Sequence, residues 1–194
     1  MNFILFALFA FFWLQLSASA ASFNTRGFEV TIEPVIAYEF FQRDTPNRHR
    51  AGMLLYGGRF TAGKPHFSLE GEFITGNETA AYTSPSIQTV MTKKENARIG
   101  ARATAFLSNL FSGYLRAGGQ ASRVTTTVTD SAPSTTVNAR DWQYKPYLGS
   151  GFQVSLAGLM SAGLDANYVF VSLNDFTQNS VQVSASLQIH FNSK

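Results

Sequence analysis

Val181-Gln182-Val183-Ser184-Ala185-Ser186-Leu187-Gln188-Ile189-His190-Phe191 decides the fold. Six apolar side chains occupy its odd positions and five polar ones its even positions. Successive residues of a strand point to opposite faces. An extended strand therefore sorts this segment into one greasy and one wet face, whereas a helix would scatter the two kinds around its axis.

The same template fits seven segments upstream. In 29–41, Val30, Ile32, Pro34, Ile36, Tyr38 and Phe40 oppose Glu29, Thr31, Glu33 and Glu39. In 52–62, Leu54, Tyr56 and Phe60 oppose Arg59 and Thr61. In 66–75, Phe67, Leu69 and Phe73 oppose His66, Ser68, Glu70 and Glu72. In 96–107, alternate residues from Ala97 to Leu107 oppose Asn96, Arg98, Arg102 and Thr104. In 112–124, Leu115, Ala117 and Ala121 oppose Tyr114, Arg116, Gln120 and Ser122. In 141–156, Trp142, Tyr144, Leu148, Phe152, Val154 and Leu156 oppose Gln143, Lys145, Gln153 and Ser155. In 161–172, Ala162, Leu164, Ala166, Tyr168 and Phe170 oppose Ser161, Asp165 and Asn167. The connections alternate long (43–50, 76–95, 125–140, 173–180) and short (63–65, 108–110, 157–159). Eight alternating strands joined this way predict an all-β chain: an eight-stranded antiparallel up-and-down transmembrane β-barrel.

Composition agrees. The 194 residues carry 15 basic and 12 acidic side chains, a net charge of +3. Charged residues make up 14%, against about a quarter in a soluble domain. Aromatic residues make up another 14%. Mean hydropathy is near zero, as it must be when lipid-facing and lumen-facing positions cancel. The absence of cysteine excludes a disulfide scaffold, a thiolate metal site and a thiol nucleophile. Three histidines leave little for zinc.

Residues 1–20 read as a secretory signal. Phe3–Leu14 is an apolar run too short for a membrane span, followed by Ala18-Ser19-Ala20, which has the small-x-small form of a cleavage site before Ala21. The run has no Lys or Arg ahead of it, and the alternative is an uncleaved anchor. Residues 21–194 are then one transmembrane barrel domain in the bacterial outer membrane.

A soluble, lipocalin-like barrel is the competing eight-stranded design. It would turn the apolar face inward and bury no charge, yet here the strand charges share one face. Burying them in an apolar calyx would cost several kcal/mol each. The greasy face therefore points to lipid. Its aromatic residues gather at strand ends, with Tyr38, Phe40, Tyr56, Phe73, Trp142, Tyr144, Tyr168 and Phe170 toward the outer interface and Phe60, Phe67 and Phe191 toward the inner one.

The wet face carries Glu29, Glu33, Glu39, Glu70, Glu72 and Asp165 against Arg59, Arg98, Arg102, Arg116 and Lys145. Antiparallel registry sets Glu33 near Arg59, Glu72 near Arg98, and Glu70 near Arg98 or Arg102. Arg102 and Arg116 fall side by side and require an acid between them. Eight strands enclose a lumen just wide enough to be filled by side chains. Glu33, Arg59, Glu70, Glu72, Arg98, Arg102, Arg116, Lys145 and Asp165 are thus expected to form an ionic plug. Inward Gly57, Gly100, Gly118, Gly149, Gly151 and Gly163 leave room for it.

The signal segment, the alternating strands, the short inner turns and an aromatic-ended last strand together resemble the small outer-membrane barrels of the OmpA/OmpX type. Pro146-Tyr147-Leu148-Gly149-Ser150-Gly151-Phe152 and Gly163-Leu164-Asp165-Ala166-Asn167-Tyr168 look like the penultimate hairpin of that porin-like superfamily. Phe191 is followed by Asn192-Ser193-Lys194, a slight departure from its usual terminal Phe. The resemblance implies the fold and the membrane and no specific activity. The functions that follow are structural support with surface display, a narrow porin-like channel for small solutes, or lipid A modification.

For the last, His66-Phe67-Ser68 with Glu70 resembles the H-x-S element of a lipid A deacylase, but it lies at the inner end of its strand, away from that substrate. No catalytic, cofactor-binding or metal residue is assigned, and no cofactor or nucleic-acid partner is expected. The outer connections carry Arg43, Arg48, Arg50, Lys93, Lys94, Arg123 and Arg140 against Asp44, Glu78, Glu95, Asp130, Asp141 and Asp175. Outer-membrane lipid is the expected partner of a monomeric barrel. Lipopolysaccharide phosphates are the candidate ligands of the loop bases, and no loop receptor is readable.

Overall fold

The computed structural model describes residues 27–43, 49–82, 88–130, 135–139, 141–157, 160–170 and 179–192. The expected signal segment 1–20 lies outside them. The described residues form nine strands: β1 (Glu29–Arg43), β2 (His49–Lys64), β3 (Phe67–Tyr82), β4 (Gln88–Phe106), β5 (Phe111–Asp130), β6 (Thr135–Ala139), β7 (Gln143–Ala157), β8 (Met160–Val169) and β9 (Ser180–Asn192). Every pairing is antiparallel. β1 pairs with both β2 and β9, and β4 pairs with β5, so the sheet closes on itself. β6 holds the outer part of β5 (Thr125–Thr129), and β7 holds its inner part (Phe111–Ser122). β6 and β7 thus share one stave, and the barrel has eight.

Two expected irregular connections, 76–95 and 125–140, are instead largely strand. β3 and β4 stay paired out to Tyr82 and Gln88, and β4 and β5 out to Gln88 and Asp130. The reason lies in Thr125, Thr126, Thr127, Val128 and Thr129, β-branched residues that fit a pleated ladder even where no lipid enforces alternation. A membrane strand needs only about ten residues. β4 and β5, with 19 and 20, stand well beyond the bilayer.

Burial follows the period of two. Along β1, Thr31, Glu33, Val35, Ala37 and Glu39 are buried, while Ile32, Pro34, Ile36, Tyr38 and Phe40 are exposed. The exposed face is the apolar one, inverted relative to a soluble protein, and it includes Leu69 at 63% and Ile99 at 75% exposure. On β4 the outward residues run apolar from Ala105 to Ala97, then turn charged at Glu95 and Lys93, which pair at 2.7 Å. That span matches an apolar band about 25 Å tall. At the short-turn end Phe60, Phe67 and Phe191 are exposed, joined by Phe28, Phe106 and Phe111.

Among the described residues an apolar cluster interrupts the polar lumen. Val35, Ala37, Met53, Leu55 and Ile74 form a small buried apolar cluster on the inner faces of β1, β2 and β3. These residues sit in unbroken apolar runs such as Val35-Ile36-Ala37 and Leu54-Leu55-Tyr56, where alternation gives no inward signal.

Candidate functional site

The centre of the barrel is filled by four guanidinium groups and four carboxylates, all nearly inaccessible. Arg59 on β2 points into the axis. Its Nη1 donates to Glu33 Oε2 at 3.0 Å and its Nε to Glu72 Oε2 at 2.7 Å. Its Nη2 reaches Asp165 Oδ2 at 3.1 Å, across the barrel on β8. Arg116 on β5 donates to Glu70 Oε1 at 2.8 Å, Glu72 Oε2 at 3.1 Å and Asp165 Oδ1 at 3.3 Å. Arg98 on β4 donates to Glu72 Oε1 at 2.7 Å and to the amide oxygens of Gln120 and Gln182, both at 2.6 Å. Arg102 donates to Glu33 Oε1 at 3.0 Å and Gln153 Oε1 at 2.9 Å.

Strand register explains the geometry. Glu33 stands directly opposite Arg59, and Glu72 stands between Arg59 on β2 and Arg98 on β4. Arg102 and Arg116 are also direct neighbours. Their like charges are separated because Arg116 turns to Glu70, Glu72 and Asp165, while Arg102 turns to Glu33 and lays its guanidinium 3.7 Å from the centre of the Tyr114 ring. Glu70 pairs in register with Gly100, between Arg98 and Arg102, yet its carboxylate goes to Arg116. Lys145 stands outside this cluster. It is half-buried and opposite Gln120, toward the end with the long connections.

Four charges of each sign cancel within the cluster. That cancellation is essential, since one unpaired ion there would carry a desolvation cost of several kcal/mol. Neutral side chains donate to several of the carboxylate oxygens, while Glu70 Oε2 is left buried without a hydrogen-bond partner. The Tyr147 hydroxyl donates to Glu70 Oε1 at 2.5 Å and the Tyr114 hydroxyl to Asp165 Oδ2 at 3.2 Å. Asn167 and Ser184 each donate to Asp165 Oδ1 at 2.6 Å. Thr31 and Thr61 share a short hydroxyl contact beneath Glu33. A second layer lies nearer the long connections, where Lys94 Nζ meets Glu39 Oε1 at 2.7 Å and Asn96 donates to Glu39 Oε2 at 3.2 Å.

Tyr147, Gln182 and Gln120 bind the ions directly, yet none of them carries a charge that would single it out in the sequence. Tyr147 shares the inward parity of Gln143 and Lys145, but nothing local marks its hydroxyl as a carboxylate partner. Its room comes from Gly100, where a Cβ would collide with the Tyr147 hydroxyl and with the Ala117 carbonyl. His66 stands at the short-turn end. Its Nδ1 donates to the Thr104 carbonyl oxygen at 3.3 Å and its ring meets Phe106 edge-on.

No protein-family model matches the chain, and no curated protein matches it in sequence. Solved structures do share its architecture. Ail, the attachment invasion locus protein of Yersinia pestis, in complex with the heparin analogue sucrose octasulfate, superposes with a TM-score of 0.60 at 9% identity, covering 84% of this chain and 99% of that one. The outer membrane protein OprG from Pseudomonas aeruginosa superposes with a TM-score of 0.53 at 9% identity, covering 87% and 97%. At such identities the likeness speaks of fold alone. The chain has the fold of the small OmpA/OmpX-type barrels, a closed transmembrane sheet of eight staves.

Proposed function

We propose that the chain is a monomeric integral protein of the bacterial outer membrane, with its short turns toward the periplasm, that supports the membrane and displays its long hairpins outside. The observation that carries this reading is the lumen. Four arginines and four carboxylates bridge the full cross-section, with Arg59 and Arg116 each joining Glu72 on β3 to Asp165 on β8 on the opposite wall, so the barrel is a post rather than a pipe. An apolar exterior bounded by aromatic rings and then by Lys93, Glu95 and Arg123 supports the membrane placement.

Lys93 and Arg123 project outward just beyond the apolar band, at headgroup height, which suits them to lipopolysaccharide phosphates. Reconstitution in planar bilayers tests the main reading. A silent membrane with demonstrated insertion is expected; sustained unitary currents would establish the narrow-channel alternative instead.

A further inference from the structure

The short-turn end of the barrel brings together three side chains that the sequence keeps far apart. Ser161 lies at the start of β8, His190 near the end of β9, and Glu29 opens β1. The Ser161 hydroxyl lies 2.9 Å from His190 Nε2. His190 Nδ1 lies 2.7 Å from Glu29 Oε1. A hydroxyl, an imidazole and a carboxylate are thus joined in series, one through each ring nitrogen, which is the arrangement that activates a serine nucleophile on unrelated folds.

The surroundings fix the imidazole in the productive tautomer. Glu29 offers Nδ1 only an acceptor, so Nδ1 carries the proton. Gln153 Oε1 is held by Arg102 at 2.9 Å, which turns the amide nitrogen of Gln153 toward His190 Nε2 at 3.4 Å. Nε2 therefore faces two donors and presents its lone pair, free to take the Ser161 proton. Gln188 stands directly across the ladder from Ser161. Its buried Nε2 has no hydrogen-bond partner. An unspent amide donor on the residue paired with the nucleophile is the kind of group a developing oxyanion recruits. A half-open cavity of about 100 Å³ lies here, walled by Glu29, His190, Gln153, Gln188, Arg102 and Lys64. Ser161 itself is buried behind His190, whose side chain and that of Glu29 reach the surface at 18% and 25% exposure.

We propose that Ser161, His190 and Glu29 form a serine hydrolase site at the short-turn mouth of the barrel, acting on esters of short acids. Ser161 Oγ bonds to the acyl carbon while its proton passes to His190 Nε2. The bond from acyl carbon to alkoxy oxygen breaks, and Nε2 returns the proton to the departing alcohol. Water then attacks the acyl-serine, yields a proton to Nε2 and releases the acid, while that proton restores the Ser161 hydroxyl. Glu29 holds the ring and balances its transient charge. Ser161 is not in the cavity wall, so the acyl group must pass the His190 ring to reach it, and a cavity of about 100 Å³ favours a short one. If the orientation given above holds, the substrate is periplasmic.

The test uses the full barrel folded in detergent, with a fluorophosphonate probe and p-nitrophenyl acetate. Expected are labelling that maps to Ser161, hydrolysis of the acetate with little of the octanoate, loss of both signals to background in S161A, and turnover about 10⁴-fold slower in E29Q. Heat-shifted gel mobility shows that each variant is folded. A folded wild-type barrel that leaves Ser161 unlabelled, or a folded S161A that hydrolyses acetate at the wild-type rate, overturns the proposal. The labelling arm stands even if S161A fails to fold.

Discussion

Glu72 is the residue on which the lumen turns. Its two oxygens receive Arg59, Arg98 and Arg116 at 2.6–3.1 Å. Replacing it with Gln leaves an acceptor but removes the charge, and three guanidiniums then share three carboxylates with Arg102. Removing one member of a buried ion network costs about 3–5 kcal/mol. E72Q is therefore expected to lower the urea midpoint of the barrel folded in lipid vesicles by that equivalent. A double variant with Arg98→Gln should recover part of it, and strict additivity of the two losses would show that the pair is not coupled. Gly100 works by absence. Any Cβ there meets Tyr147, so G100V is expected to unseat the Tyr147–Glu70 bond and cost about 1–3 kcal/mol by overpacking. The same urea titration reads it, and an unchanged midpoint would mean that the ring has space to move.

At the scale of elements, each strand has two climates along its outer face. On β3, Leu69 pairs with Ala101 at mid-height of the apolar band, whereas Asn77 pairs with Lys93 beyond its edge. Arginine at Leu69 should cost about 2–4 kcal/mol, and at Asn77 about 0–1 kcal/mol, since the penalty for a charge on the lipid face depends on depth. Equal costs at both sites, measured by unfolding from vesicles, would mean that the band is misplaced. The projecting hairpin of β4 and β5 has a different origin. Its outer rungs, from Lys94 opposite Val124 to Gln88 opposite Asp130, are held by backbone pairing and threonine-rich β-branched side chains rather than by lipid. Its persistence as strand was hidden in the sequence because alternation fades where both faces meet water.

The whole molecule depends on closure. β9 supplies both the partner of β1 and the partner of β8. Without it two edges of unpaired backbone groups would face hydrocarbon, which the bilayer does not tolerate. Unboiled samples of the intact chain are expected to migrate faster on detergent gels than boiled ones. A chain lacking residues 180–192 should show a single, heat-insensitive band. A heat-sensitive band from that truncation would contradict closure through β9.

The sequence alone determined the strand period, the inward and outward faces and the sidedness of the connections. Each follows from local side-chain chemistry repeated every second residue, so it can be read from segments such as Val181–Phe191 without knowing what they touch. It also supplied the charges that face inward. Which carboxylate meets which guanidinium was not local. Asp165 reaches Arg59 over 106 positions of chain, and Glu29 reaches His190 over 161. Those meetings come from the diameter of the closed sheet and from β9 docking on β1. For the same reason the meeting of Tyr147 with Glu70 and the alignment of Ser161 with His190 belong to the tertiary structure. Register is a property of pairs of strands, and side chains that cross a lumen obey its width rather than their spacing in sequence.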